Sequence, residues 1–434
     1  MMMNYMLKNS FFKKRLKLLE YKKRLYQISR SNDEVHYYQI EKFNKIWHRA
    51  INEIPFYQLW KKKYNLPVTI KNVDELKSFP ILKKKHIQQN EKLIFSSLKG
   101  CSIISTGGST GKPIKFPTSM KESLNSYANH YLARGWWGIK PLDSILSFWG
   151  HSHLFGVGVK GQINQYKRSF YDWLINTKRL NAYDVSLNTL GKYYQVLKKS
   201  NPVMIIGYTS SIYKIAKYID ENNLDIENKS NLKGVVVTSE TVTDYDVNLI
   251  EKVFNVPCIL EYGMAETGII AQSKESSKNI KLFWDTFIGM KDEDNVLNIT
   301  TINDRLFPLI NYKTDDIIET KDNLSILKIK KILGRKNDFI KIKVGNNIIE
   351  SHSELFTHIL KSIKGIINFK VIQKKSLAIE IKYVSPKNLD ISESFFNEIQ
   401  KELKDVDKTT FSFKQVDDIP KTIAGKAKWI EVQK

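Results

Sequence analysis

Val203-Met204-Ile205-Ile206-Gly207, Gly234-Val235-Val236-Val237-Thr238-Ser239 and Pro257-Cys258-Ile259-Leu260-Glu261-Tyr262-Gly263 are short apolar runs separated by two stretches of helical periodicity, SSIYKIAKYIDENN and TVTDYDVNLIEKVF. Strands that are apolar on both faces and alternate with helices indicate a parallel sheet joined by right-handed crossovers. In open parallel sheets, ligands bind beyond the carboxyl ends of the strands. Those ends carry Gly207-Tyr208, Thr238-Ser239-Glu240 and Tyr262-Gly263-Met264-Ala265-Glu266. Small, polar and acidic residues at three successive strand ends predict a site there.

Working outward, residues 34–62 read as helix, with Pro55 as the expected break. After Gly334 the texture changes. FIKIKV (339–344) alternates like a half-buried strand, Gly345-Asn346-Asn347 turns it, and NIIE returns. A helix near 353–362, strands near 367–373 and 377–383, a helix near 392–403 and a strand near 410–416 follow. At 434 residues the chain exceeds one ordinary core. The expected architecture is α/β: a large N-terminal domain over 1–333 with parallel sheets flanked by helices, and a small α+β domain over 334–434.

Ser105-Thr106-Gly107-Gly108-Ser109-Thr110-Gly111-Lys112-Pro113 is the most telling motif. Glycines allow close backbone approach, and the hydroxyls and free N–H groups supply donors, so such a loop can wrap phosphate oxygens. It is not a Walker loop, which needs four residues between Gly and Gly-Lys and a Ser or Thr after the Lys. The following PIKFPTS also reads as strand, where a Walker loop opens a helix.

The loop resembles the phosphate-binding loop of the acyl-adenylate-forming superfamily, and further signatures follow in the family's order. Glu261-Tyr262-Gly263-Met264-Ala265-Glu266-Thr267-Gly268 resembles its Tyr-Gly-x-Thr-Glu segment. Tyr312-Lys313-Thr314-Asp315-Asp316 resembles Tyr-Arg-Thr-Gly-Asp, and Gly334-Arg335-Lys336-Asn337-Asp338 resembles the hinge. Pro420-Lys421-Thr422-Ile423-Ala424-Gly425-Lys426 resembles the C-terminal lysine loop. Within the superfamily, Ile54-Pro55-Phe56-Tyr57 and Phe79-Pro80-Ile81-Leu82-Lys83 are similar to the phenylacetate–CoA ligase branch. The general texture looks most like the members associated with capsule and surface polysaccharide.

The resemblance implies an enzyme that uses ATP and magnesium to convert a carboxylic acid into an acyl-AMP, with pyrophosphate released, and then transfers the acyl group to coenzyme A. A carrier-protein thiol or an amine, such as that of an amino sugar, is the alternative acceptor. It also implies residue roles. Ser105, Thr106, Gly107, Gly108, Ser109, Thr110, Gly111 and Lys112 would hold the β- and γ-phosphates, and Glu266 would be the magnesium-associated acid. Asp316 would accept hydrogen bonds from the ribose hydroxyls. Glu240, Tyr262 and Gly263 would lie near adenine and its ribose, with the Tyr262 ring on the base. Arg335 would contact ribose or phosphate, Lys426 would be the catalytic lysine, and His153 would line or gate the acyl pocket. In the family the small domain rotates about the hinge between the two half-reactions.

Three departures stand out. Ala265 lacks the hydroxyl common at its position, Asp315 replaces the usual Gly, and Asn337 stands where Asp or Lys is commoner.

Composition narrows the remaining classes. Apolar residues at 42% and charged residues at 26% are those of a globular protein. No run approaches the roughly 18 apolar residues of a membrane span, and the opening residues lack the features of a signal peptide. Two cysteines, Cys101 and Cys258, argue against a disulfide framework or zinc site and fit a reducing cytoplasm. The net charge of +24 is spread along the chain. It reads as a lysine-rich solvated surface that also attracts polyanions such as ATP or coenzyme A. The densest basic run, residues 8–24, reads as a first helix packed on its own domain, the other possibility being contact with an anionic membrane. A non-catalytic basic binding protein is the third functional reading. Nothing resembles the aromatic-basic interleaving of RNA-reading modules, so no nucleic-acid partner is expected. The identity of the acid and the oligomeric state cannot be read from the sequence.

Overall fold

The three apolar runs lie side by side in one eight-stranded sheet. The computed structural model describes residues 2–98, 100–105, 114–150, 158–182, 187–226, 231–322, 325–335, 339–386, 388–420 and 429–433. Helices α1 (Met2–Gln27), α2 (Asn32–Glu53), α3 (Pro55–Tyr64), α4 (Lys84–Gln89) and α5 (Glu91–Phe95) lead to strands β1 (Ser102–Ser105) and β2 (Lys115–Thr118), which form an antiparallel hairpin. Pro55 acts as expected. Glu53 ends α2, Ile54 is extended, and Pro55 opens α3 at a first-turn position that needs no N–H. The expected strand after the glycine loop is β2, and α6 (Met120–Trp136) follows it.

The large sheet grows from β3 (Ile145–Phe148), α7 (Gly158–Leu174), β4 (Thr177–Leu180), α8 (Leu187–Ser200), β5 (Met204–Tyr208), α9 (Thr209–Glu221), β6 (Gly234–Thr238), α10 (Asp244–Phe254), β7 (Cys258–Met264), β8 (Gly268–Lys274) and β9 (Ser276–Leu282). Strands β4, β3, β5, β6 and β7 are parallel, and β8 and β9 extend the sheet antiparallel. Every residue of β5 and β6 is buried. Complete burial on two faces is why these strands carry no polar alternation. Fully burying one such aliphatic side chain is worth about 1.5–3 kcal/mol. The register sets Tyr208, Thr238 and Glu261 side by side at the carboxyl ends.

A second sheet holds β10 (Phe287–Lys291), β11 (Val296–Thr301) and β12 (Tyr312–Glu319). Strand β13 (Lys328–Ile329) returns to the edge of the large sheet beside β9, and β14 (Lys331–Arg335) completes the second sheet against β12. The last hundred residues contain a hairpin of β15 (Phe339–Val344) and β16 (Asn347–His352), helix α11 (Glu354–Ser362), β17 (Asn368–Gln373), β18 (Ile379–Val384), α12 (Ser392–Glu402), β19 (Phe411–Gln415) and β20 (Ile430–Val432). The sequence reading of antiparallel hairpins here needs one correction. Strands β17 and β18 are antiparallel, but β19 and β20 join them in parallel. The apolar residues of this region, from Ile340 to Ile430, form a cluster of their own. No helix among the described residues is long and apolar enough to cross a membrane.

Candidate active site

The β12–β14 pairing brings the first polar group together. Asp316 lies opposite Arg335 in the register, with Arg335 Nε 3.4 Å from Asp316 Oδ1. Tyr262, at the end of β7, donates its hydroxyl to Asp316 Oδ2 at 2.8 Å. Thr314 orients the turn by accepting the Asp316 N–H at 3.1 Å. Tyr262, Asp316 and Arg335, proposed from three separate motifs, thus meet in one cluster. Burial together with Asp316 keeps the Tyr262 phenol well above its ordinary value, so it serves as donor.

Burial also pushes the Asp316 carboxyl above the usual aspartate value, against the downward pull of Arg335, Tyr262 and Lys84. The sign then follows. A raised native value favours the neutral carboxyl, so this group's stability contribution is present below the unfolded value of about 3.9 and is lost as pH rises through the native value. Acceptance from ribose hydroxyls gains the opposite way, because the ionised form is the better acceptor. If Asp316 takes ribose hydroxyls, as the sequence resemblance implies, nucleotide affinity should climb as pH rises through the raised Asp316 value, and Asp316→Asn should flatten that profile. Titration of ATP binding by calorimetry from acid to neutral pH checks this; parallel profiles for the two proteins would contradict it.

Glu266 sits in the turn between β7 and β8 and is 8% exposed. Tyr312 donates its hydroxyl to Glu266 Oε1 at 3.2 Å, and Arg305 Nη2 donates to the Glu266 carbonyl at 2.6 Å. Arg305 is itself held by Glu122, at 3.3 Å, on the first turn of α6. Gly263 makes this turn possible: a Cβ there would lie 2.5 Å from the Gly268 carbonyl oxygen, where the β7–β8 register shifts. The Thr267 hydroxyl, beside the hydroxyl-less Ala265, donates to the Gly268 carbonyl at 3.0 Å.

Residues 54–57 and 79–83 pack against the segment that leads into Tyr312. Leu82 exchanges backbone hydrogen bonds with Asn311 and Lys313 at 2.9 and 3.0 Å, and the Asn311 side chain donates to the Phe79 carbonyl at 2.6 Å. Tyr57 donates to the Pro308 carbonyl, and its ring stacks on Phe307 at 5.2 Å. Asp315 occupies the left-handed region at φ 67°, a conformation that glycine adopts without cost. That is the physical content of its departure from the family pattern.

Other predicted residues are placed as follows. Ser105 ends β1 and is exposed. Beyond the other arm of the hairpin, Ile114 and Phe116 pack in the same apolar cluster as Tyr312 and partly buried Tyr262 and Met264. Glu240 accepts the Ser210 N–H at 2.7 Å, capping α9, at the carboxyl end of β6. Thr106, Gly107, Gly108, Ser109, Thr110, Gly111 and Lys112, together with His153 and Lys426, lie outside the described residues. Among the described residues no group of three or more His, Cys, Asp or Glu side chains is arranged to hold a metal. A magnesium ion carried by phosphates needs only one or two carboxylates.

Sequence reasoning missed Arg305 and Glu122 and gave Tyr312 no role. Each reaches Glu266 or its partner only through chain segments distant in sequence. No local spacing signals such a contact.

Comparison with known proteins agrees with this geometry. Residues 342–433 match the family described as the CapK C-terminal domain. Over 408 residues the chain is 27% identical to Protein CapK of Staphylococcus aureus, covering 90% of this chain and 88% of that one. Among solved structures it is similar to 2-hydroxyisobutyryl-CoA ligase in the postadenylation state with 2-HIB-AMP. The TM-score is 0.69 at 13% identity, over 91% of this chain and 89% of the other. The same ligase in its thioesterification state with 2-HIB-AMP and CoA gives a TM-score of 0.59 at 15% identity, over 93% and 90% of the two chains. The chain therefore has the fold of the adenylate-forming ligases, and its sequence resemblance to Protein CapK runs over most of its length.

Proposed function

We propose that this protein activates a carboxylic acid with ATP and passes the acyl group to coenzyme A. In the first step a carboxylate oxygen of the acid bonds to the α-phosphorus, the bond from that phosphorus to the bridging oxygen breaks, and pyrophosphate leaves. In the second, the CoA thiolate attacks the acyl carbon and AMP leaves. The observation that carries the reading is that Tyr262, at the carboxyl end of the parallel strand β7, meets Asp316 and Arg335 of the second sheet, while Glu266 in the turn after β7 is held by Tyr312 of the same strand as Asp316. That place is where this fold binds ligands. Its similarity to a ligase solved with an acyl-adenylate supports it.

The residue roles are part of the proposal. Ser105 and the donors through Lys112 hold the outer phosphates. Asp316 takes the ribose hydroxyls, and Glu240, Tyr262 and Gly263 frame the base. Glu266 holds the magnesium that accompanies the triphosphate, whose contribution is to neutralise phosphate charge. Lys426 is brought to the carboxylate and α-phosphate oxygens, where developing negative charge needs a cation, and His153 borders the acyl pocket. We place the domain boundary between residues 333 and 334, with Arg335 at the junction.

The test is acid-dependent ATP–pyrophosphate exchange across a panel of carboxylic acids, with AMP formation then measured with and without CoA. Exchange with at least one acid and CoA-dependent AMP release are expected. Lys426→Ala should abolish exchange while ATP binding persists. Exchange without a CoA effect would reassign the second step to a carrier-protein thiol or an amine. No exchange with any acid would overturn the reading and favour a basic binding protein.

A further inference from the structure

Helix α7 presents an apolar stripe to solvent. Ile163, Tyr166, Phe170 and Trp173 are 48%, 77%, 61% and 49% exposed. At 100° per residue these positions fall within an arc of roughly 80° on one side of the helix. Surface helices normally turn such a face inward. Four large side chains in consecutive turns are a contiguous patch rather than scattered exposure.

The charge exposed on the described part of α7 is basic. The only acid on α7 is Asp172, which is buried and ion-paired with Arg168 at 3.3 Å and Arg179 at 2.9 Å. Lys167, next to the stripe, and Lys178, just beyond the helix, are exposed. The basic first helix packs on α6, where the Arg15 guanidinium lies 5.5 Å over the Tyr127 ring. Lys13, Lys14 and Lys17 of α1 are exposed, in a chain of net charge +24.

We propose that α7 docks the protein on an anionic lipid surface, its aromatic stripe entering the headgroup region and the flanking lysines pairing with lipid phosphates. Aromatic side chains with apolar bodies and polar tips favour that interface, and Lys and Arg side chains are drawn to an anionic leaflet. A protein partner fits less well. At roughly 150–250 Å2 per aromatic side chain the partly exposed stripe offers about 400–500 Å2, against about 800 Å2 per side in a stable protein interface. Because no described helix can span a bilayer, the contact is peripheral. The inference stands on the α7 surface alone and does not depend on the reaction proposed above.

The test is co-sedimentation of the full chain with phosphatidylcholine vesicles and with vesicles containing about one third phosphatidylglycerol. Binding to the anionic vesicles at least tenfold tighter than to the neutral ones is expected. Phe170→Ser/Trp173→Ser, at exposed positions, should keep the melting temperature and lose at least tenfold in that binding. The proposal is overturned if the wild type ignores anionic vesicles, or if the double variant binds them as well as the wild type, since general basic charge would then suffice. It is equally overturned if the stripe turns out to mediate a dimer that the double variant abolishes.

Discussion

Arg305→Met is expected to destabilise the protein by about 3–5 kcal/mol, the range for removing one partner of a buried ion pair. Arg305 is 5% and Glu122 9% exposed, so the carboxylate left behind has little access to water. The Glu266 carbonyl loses its 2.6 Å donor at the same time. For a chain of this size the loss corresponds to a fall in melting temperature of roughly 3–6 °C. Arg305 is a positioning residue: it fixes the turn that aims Glu266, through its backbone. Arg305→Lys, which keeps the charge, should recover part of the stability but not the fork that reaches both Glu122 and the carbonyl. Glu122→Gln/Arg305→Met should cost less than the two single changes added, because neither charge is then stranded. A purely structural role would lower stability alone. If Arg305 positions Glu266, the lysine variant should also need more magnesium for half-maximal exchange. Unchanged thermal melting in Arg305→Met, measured by calorimetry, would refute the buried-pair argument.

The second large effect concerns the seam between α9–α10 and the C-terminal region. Lys361, on α11, donates to Asp246 at 2.6 Å, and the two side chains are 2% and 0% exposed. The Lys361 ammonium also lies 4.8 Å over Tyr213 and 5.4 Å over Trp429. Lys217 reaches across as well, donating to the Ile366 carbonyl at 3.0 Å. The other Asp246 oxygen accepts the N–H and hydroxyl of Thr243 in the cap of α10. Lys361→Met strands a charge that could regain water if the two regions part, so separation should precede unfolding. We expect the docked arrangement to weaken by about 2–4 kcal/mol, roughly thirtyfold to a thousandfold. Hydrogen exchange read by mass spectrometry should show lost protection in α11 and on α9, with the core strands β5 and β6 unchanged. Lys361→Met/Asp246→Asn should regain much of the docking, since the amide keeps a cap acceptor without a buried charge. Undiminished protection of α11 in the single variant would show that the pair does not hold the seam.

The same seam bears on the proposed chemistry. A rotation between half-reactions would have to pull Lys361 from Asp246 and hydrate both. The lysine variant is thus expected to slow the step that uses the docked arrangement more than the other, which a comparison of exchange with thioester formation would reveal.

Sequence alone determined the central strands, the break at Pro55 and the succession of elements from residue 339 to about 416, but not the last strand, β20. Apolar periodicity, helix caps and proline geometry act over a few residues and are written locally. The stretches proposed to hold the nucleotide are contiguous, so they too can be read locally. Tertiary structure decided what those residues touch. Tyr262 meets Asp316 and Arg335, Glu122 meets Arg305, and Lys361 meets Asp246 across segments far apart in the chain. Electrostatic partners are chosen by approach in space and by loss of water, and neither leaves a spacing in the sequence. The stripe on α7 marks the same limit from the other side. Periodicity announces an apolar face, but only the packed molecule reveals that the face is left to solvent.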